Sequence, residues 1–357
     1  MSMAEIDHLL THAVECGASD LHLSVGAPPA YRLHGELEVI EGAQPLLDTD
    51  ARRMLVEIME RAGQLERFEN HHDVDFAYQL PEAGRFRANV FLQTRGIGAV
   101  FRVIPEQIVP LEELALPKAI QEFTRMSRGM VLITGPTGHG KSTTLASMID
   151  FINRHRKTHI ITIEDPVEFI HANKLSLINQ REVGPQSDTF TTALRAAFRE
   201  DPDVILIGEL RDLETISLAI TAAETGHLVF GTLHTGTASK AVDRIIDAFP
   251  TAQQAQVRTQ LSESLSGVVA QQLLKCKDGT GRVAAVEILL GVPALAHLIR
   301  EGKTYQIPSI IQTGRREGMQ TMDQAIVDLL KQGLISSEEA YDKCVDRETF
   351  RRYLGKL

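Results

Sequence analysis

The apolar positions of this chain change rhythm partway along it. In the first hundred residues they come as short, mostly alternating runs at 20–25, 30–40, 74–80, 85–93 and 99–104, which predict strands. In the run 85–93, Phe86, Ala88, Val90 and Leu92 alternate with Arg85, Arg87 and Asn89, as in a strand with one buried face and one basic face. The last three runs sit close together with turn residues between them, which predicts an antiparallel meander. Helical spacing covers about 3–17 and returns at about 49–70. Beyond residue 118 the runs become continuous: 130–134, 159–163, 204–208, 228–233 and 283–290, separated by helical segments. Unbroken apolar runs alternating with helices predict a largely parallel sheet covered on both faces. After about 292 the spacing is helical, with breaks near Pro308, Gly318 and Gly333. Pro105, Pro110 and Pro117 mark a stretch that continues neither helix nor sheet. The predicted division is a smaller α+β domain over 1–104, a linker over 105–117, and an α/β domain over 118–357 that ends in helices from about 293.

Composition narrows the class. A length of 357 residues fits two domains, and 43% hydrophobic residues suit a globular core. No stretch approaches the roughly 18 consecutive apolar residues of a membrane span. Residues 1–18 carry Glu5, Asp7 and Glu15 but no Lys or Arg, so they do not read as a signal peptide. Cys16, Cys276 and Cys344 are scattered, with neither a disulfide framework nor zinc spacing, and a reducing cytoplasm is expected. The net charge of −10 argues against broad nucleic-acid binding, though not against a local basic channel.

The strongest chemical signal is Gly135-Pro-Thr-Gly-His-Gly-Lys-Ser142, placed between an apolar run and a helical pattern. Glycines at this spacing let the backbone turn and aim its N–H groups at phosphate oxygens, and the helix adds its positive end. The motif predicts a nucleoside triphosphate site built from Gly135, Pro136, Thr137, Gly138, His139, Gly140, Lys141, Ser142 and Thr143. Lys141 would reach the β- and γ-phosphates, and Ser142 would hold Mg²⁺. Two further apolar runs end in carboxylates. Glu209 closes Asp203-Val-Ile-Leu-Ile-Gly-Glu209, where such enzymes hold Mg²⁺ directly or through water. Glu164 closes Ile161-Thr-Ile-Glu164 and is the expected orienter of the attacking water, against the competing reading of an acidic turn capped by Pro166. His227 and His234 bracket a third run. Seven residues apart on a strand, they point to opposite faces and cannot chelate together. His234, at the carboxyl end, is the one placed to sense a γ-phosphate; polar capping of strand ends is the competing reading. Arg85, Arg87, Arg95 and Arg102 could stabilise phosphoryl charge only if their domain folds over a nucleotide; otherwise they are a solvated basic face.

Taken together and in order, these blocks resemble the secretion ATPases of the type II and type IV pilus superfamily, most closely its PilT-type pilus retraction branch. The resemblance runs through Ala18-Ser-Asp-Leu-His-Leu23, Arg85-Phe-Arg87, the glycine-rich loop, and Thr162-Ile-Glu-Asp-Pro-Val-Glu-Phe169, which is similar to the family's acidic box. It continues through Asn179-Gln-Arg-Glu-Val183, Arg199-Glu-Asp-Pro-Asp-Val204, Gly208-Glu-Leu-Arg-Asp212, and the histidine-box segments Ala223-Glu-Thr-Gly-His-Leu228 and Gly231-Thr-Leu-His-Thr235. It implies a PAS-like N-terminal domain and a RecA-like ATPase domain in a cytoplasmic homohexamer at the inner face of the membrane. Nucleotide would lie at subunit interfaces. Glu164 is then the catalytic carboxylate and Glu209 the support of Mg²⁺ and water. His227 and His234 monitor the site, and Arg87 and Arg102 are the arginines that reach the phosphates. The implied partners are an inner-membrane pilus platform protein and a paralogous pilus ATPase, with no nucleic acid. The implied activity is ATP hydrolysis that drives pilus retraction. Two departures stand out: His139 replaces the family's usual Ser, and Ala294-Leu-Ala-His-Leu-Ile-Arg-Glu301 keeps only part of the retraction motors' C-terminal motif. An accessory retraction ATPase is the alternative. Extension and type II secretion ATPases are a further one, disfavoured because they usually add a long N-terminus and a four-cysteine zinc motif.

Overall fold

The computed structural model describes residues 5–33, 35–81, 83–104, 107–279 and 281–354. Pro105, the first residue of the predicted linker, lies outside these. Two compact units are present. The first comprises the residues up to Gln107 together with Pro166–Ile170; the second comprises Ile108–Asp165 and the residues from His171.

The first unit holds six strands: β1 Asp20–Ser24, β2 Ala30–Leu33, β3 Glu36–Val39, β4 Asp73–Leu80, β5 Gly84–Gln93 and β6 Gly96–Ile104. They form one antiparallel sheet in the order β3-β2-β1-β6-β5-β4. The meander predicted for the last three strands is present. Phe86, Ala88 and Val90 on β5 are fully buried, and Arg85 and Arg87 take the other face. Leu92 departs from the pattern at 45% exposed, because the buried face ends before it. The single helix expected over 49–70 is two, Asp48–Arg61 and Leu65–His71, broken where Gly63 takes φ +67°. That conformation costs a glycine little and ends a helix.

The second unit holds β7 Gly129–Thr134, β8 His159–Glu164, β9 Leu177–Glu182, β10 Val204–Ile207, β11 Leu228–Leu233, β12 Leu265–Lys275 and β13 Arg282–Leu290. Their order is β13-β12-β7-β11-β10-β8-β9, parallel except for β13, which returns antiparallel on β12. The continuous apolar runs resolve into two alternating sets. Met130 and Leu132, Ile161 and Ile163, Ile205 and Ile207, with Val229, face one core. Val131 and Ile133, Ile160, Val204 and Leu206, with Phe230, face another. Helices on both faces therefore explain why these strands carry no polar alternation. Part of the predicted linker is not a free spacer, since Leu111 is buried in the second of these cores with Leu114 and Leu116 packed beside it. Helices follow β13 as expected, and Pro308 opens the helix Ile307–Thr313 rather than breaking one.

Candidate active site

The four central parallel strands β7, β11, β10 and β8 are adjacent, and each releases one chemical group from its carboxyl end. After β7 comes the glycine-rich loop, after β11 His234, just beyond β10 Glu209, and at the tip of β8 Glu164. In open α/β sheets this edge is where ligands bind. Short bonds hold the strand exits together. The Gly208 N–H donates to Ile163 O at 2.7 Å, the Leu210 N–H to Thr232 O at 3.0 Å, and the Thr235 N–H to Thr134 Oγ1 at 2.9 Å.

The loop itself needs glycine at defined points. Gly135 sits at φ +151°, and a Cβ there would lie 2.3 Å from Gln271 O. Gly140 takes φ +79° as it starts the helix Lys141–His155, and a Cβ there would crowd Gln271 Nε2 at 2.9 Å. The loop's outer rim, Pro136 to Gly138, is exposed, whereas Lys141 is 7% exposed. Ser142 and Thr143 follow in the first turn, half-buried.

Lys141 Nζ donates to Gly135 O at 2.8 Å and to Pro136 O at 3.0 Å, and lies 3.3 Å from His234 Nδ1. On its other side, His234 Nε2 is 3.2 Å from Glu209 Oε1. An ammonium can only donate and a carboxylate can only accept, so this chain assigns a neutral His234 with its proton on Nε2. Glu209 also takes Arg211 at 2.7 Å through Oε2. Burial opposes ionisation of Glu209, but Arg211 and His234 outweigh it and hold the carboxyl below its ordinary value. The result is a continuous line Lys141–His234–Glu209–Arg211. Glu164 accepts from Thr162 Oγ1 at 2.6 Å and from Gln180 Nε2 at 3.4 Å, both on Oε1.

Other expected residues lie elsewhere. His227 precedes β11, at the opposite end of the strand from His234. There Nδ1 lies 2.9 Å from Ala222 O, and the ring edge meets Phe198. Within this chain it is not brought to the loop. Arg87 and Arg102 belong to the first unit and stand opposite each other across β5 and β6. Like charges so placed repel, and each is compensated by an aspartate. Arg87 Nε donates to Asp75 Oδ2 at 3.0 Å, and Arg102 Nε to the buried Asp20 at 2.9 Å.

Several residues at the site had no signal in the sequence reading. Gln271 on β12 donates Nε2–H to His139 O at 2.9 Å and accepts from Thr144 Oγ1 at 2.8 Å. Arg282 on β13 donates to Gly138 O at 3.1 Å. Glu287, also on β13, accepts the first N–H of the helix Ala238–Asp247, from Ala238 at 2.7 Å. Burial pushes its carboxyl up, partly offset by the two backbone N–H groups of Ala238 and Met322. Arg211, Thr162 and Gln180 do lie in blocks quoted for the resemblance, and Glu287 in the run 283–290, but nothing local marks them as site residues.

A metal at this edge would meet few protein ligands. Among the described residues no three His, Cys, Asp or Glu side chains cluster as a metal cage. The oxygen donors at hand, the Ser142 hydroxyl and the ionised Glu209, suit Mg²⁺, which keeps waters and substrate oxygens in its shell.

The sequence matches the family described as type II/IV secretion system proteins over residues 2–342. It is 51% identical over 346 residues to the type IV pilus retractation ATPase PilT of Pseudomonas aeruginosa, covering 97% of this chain and 100% of that one. It is 41% identical over 336 residues to the type IV pilus ATPase PilU of the same organism, covering 94% and 87%. The crystal structure of the pilus retraction motor PilT with bound ADP superposes with a TM-score of 0.89 at 45% identity, over 98% of this chain and 100% of that one.

Proposed function

The chain belongs to the family of type II/IV secretion system proteins, and we infer from that membership that it is an ATPase that drives retraction of type IV pili. The observation that carries the chemistry is the convergence of Lys141, His234, Glu209 and Glu164 at one sheet edge. The loop Gly135–Ser142, with Thr143, cradles the phosphates of ATP through its N–H groups, and Lys141 contacts the β- and γ-phosphates. Ser142 and Glu209 would hold Mg²⁺, Glu209 directly or through water, and a bound ion would supply charge neutralisation for the transferred phosphoryl group. Glu164 orients the water that attacks the γ-phosphorus; as that oxygen–phosphorus bond forms, the bond to the β–γ bridging oxygen breaks, ADP leaves, and inorganic phosphate and a proton are released. His234 reads the site's state because it links the phosphate-binding lysine to the metal-side carboxylate.

A homohexamer, the arrangement the resemblance implies, gives the remaining residues a role. Arg87 and Arg102 supply positive charge to a nucleotide at a subunit interface, and His227, remote from its own loop, could enter only a neighbouring subunit's site. Binding, hydrolysis and release then become rigid-body movement, delivered to an inner-membrane platform protein, with a paralogous pilus ATPase as a further partner. Greater identity to PilT than to PilU supports the primary retraction role over the accessory one. Among the described residues no helix is long and apolar enough to cross a membrane, which suits a motor that works on the membrane from one side.

Deleting the gene in its host tests the output. Excess pili without twitching is the expected phenotype, restored by the wild-type gene; loss of pili would instead make this an extension ATPase. The arginine assignment has its own test. Arg102→Ala should lower the turnover number by about a hundredfold or more, with little change in ADP affinity. The fold should persist because Arg32 still faces Asp20 at 3.9 Å. Phosphate release within a factor of about two of wild type would remove Arg102 from the site.

A further inference from the structure

His139 is the loop residue that departs from the family pattern, and its side chain points at a strand that the neighbouring β7 does not reach. The pairing of β7 with β12 stops at Thr134 opposite Ala270, while β12 continues to Lys275. Beyond that point β12 has no strand on its β7 side, so its backbone donors there need partners from elsewhere. Leu273 N–H finds one in His139 Nδ1, at 2.9 Å. The same hairpin reaches the loop twice more, through Gln271 to His139 O and through Arg282 to Gly138 O. All three contacts engage the loop from the hairpin: two hold its carbonyls and one holds a side chain. A planar trans peptide whose carbonyl is held by the hairpin turns the N–H of the following residue away from the hairpin, free to meet a phosphate.

We propose that His139 is a positioning residue, a strut whose neutral Nδ1 pins the phosphate-binding loop to the open edge of β12 and so presets the loop for nucleotide. The proposal rests on the reading that this loop binds nucleotide. It carries a consequence that the usual Ser could not have. The strut exists only while Nδ1 keeps its lone pair, and a doubly protonated imidazole cannot accept from Leu273. The charged groups facing the ring are Lys343 from the helix Ser337–Lys343, Arg282 from β13 and Lys141 from its own helix, all cationic. Burial, and then these cations, keep its pKa below the ordinary histidine value, so the accepting form is the one present at neutral pH. The hairpin is tied in turn to the C-terminal helices, by Lys275 N–H to Glu339 Oε1 on the helix Ser337–Lys343 at 3.0 Å and by Lys277 N–H to Leu334 O, in the turn before that helix, at 2.8 Å. Those helices therefore have a route of direct bonds to the nucleotide loop.

The test is ADP binding by the full-length chain and two variants, measured by calorimetry in Mg²⁺ with thermal unfolding recorded alongside. His139→Ala should bind ADP about tenfold more weakly near neutral pH, the loss of one positioned hydrogen bond. His139→Asn places an amide oxygen where Nδ1 stood, cannot titrate, and should recover most of that loss. Between about pH 7.5 and about pH 5 the unsubstituted chain should lose several-fold more affinity than His139→Asn. Equal binding by His139→Ala and the unsubstituted chain overturns the strut. So does an Asn variant as weak as the Ala variant, or affinity that rises on acidification relative to Asn, which would mean that an imidazolium acts directly on the phosphates. If the unsubstituted chain and Lys141→Ala both fail to bind ADP, the nucleotide reading itself fails and the proposal goes with it.

Discussion

Lys141→Ala is expected to remove nucleotide binding and to lower phosphate release by about a thousandfold or more, while the protein still folds. The ammonium is almost fully buried and is held by two loop carbonyls and His234. It is therefore a fixed charge already aimed into the loop, and no other described residue lies in the same position between the loop and His234. Truncation leaves Gly135 O, Pro136 O and His234 Nδ1 short of a donor. That costs about 1–3 kcal/mol for groups denied water, an amount lessened here because the loop's rim is exposed and solvent can enter. Removing a buried cation offsets part of the rest. Stability should thus change little while function is lost. Thermal unfolding and circular dichroism close to wild type, with no heat of ADP binding, is the expected pair of results. Near-normal phosphate release from the folded variant would sink the assignment of this loop.

The sequence made this edge of the sheet readable because burial on both faces leaves an unmistakable mark. β7, β8, β10 and β11 are apolar along most of their length, and the groups at their carboxyl ends stand out against that background. β9 and β12, which carry no such mark, differ in physical circumstance. β9 is an edge strand reading Leu177-Ile-Asn-Gln-Arg-Glu182, with Leu177 52% exposed, so it carries neither a continuous run nor a clean alternation. β12 is interrupted by Gln271 and Gln272, and Gln271 is polar because it serves the loop. Function there erased the signal for structure. The contacts of Gln271, Leu273 and Arg282 with the loop join positions more than a hundred residues apart, and no local pattern encodes them. His139 is an oddity within its motif, but its role depends on the stretch of β12 that has no strand on its β7 side. The loss of Leu92 from the buried face of β5, and the grouping of Pro166–Ile170 with the first unit, likewise depend on tertiary placement.

Glu209→Gln should lower hydrolysis by about a thousandfold while leaving ADP binding within a few-fold of wild type, because the amide keeps one acceptor for Arg211 but loses the charge. The two carboxylates of the site should then separate by their metal response. Glu209→Gln shifts the Mg²⁺ requirement of the residual activity upward, whereas Glu164→Gln, which acts on water, lowers turnover without moving it. A second readout does not depend on activity. Arg211 and His234 hold the folded-state pKa of Glu209 below its ordinary value in spite of burial. A group depressed in the folded state contributes stability above its unfolded pKa, near about 4.3, and that contribution disappears as pH falls through the lower folded value. Thermal unfolding of the wild type should therefore lose stability in this acid window, and Glu209→Gln, which cannot titrate, should lose less of it. The side chain is 19% exposed and partly screened, so the difference should be modest in size but fixed in sign. Identical acid profiles for the two proteins would mean that Arg211 and His234 do not hold Glu209 as an ion. An unchanged Mg²⁺ requirement would take it away from the metal.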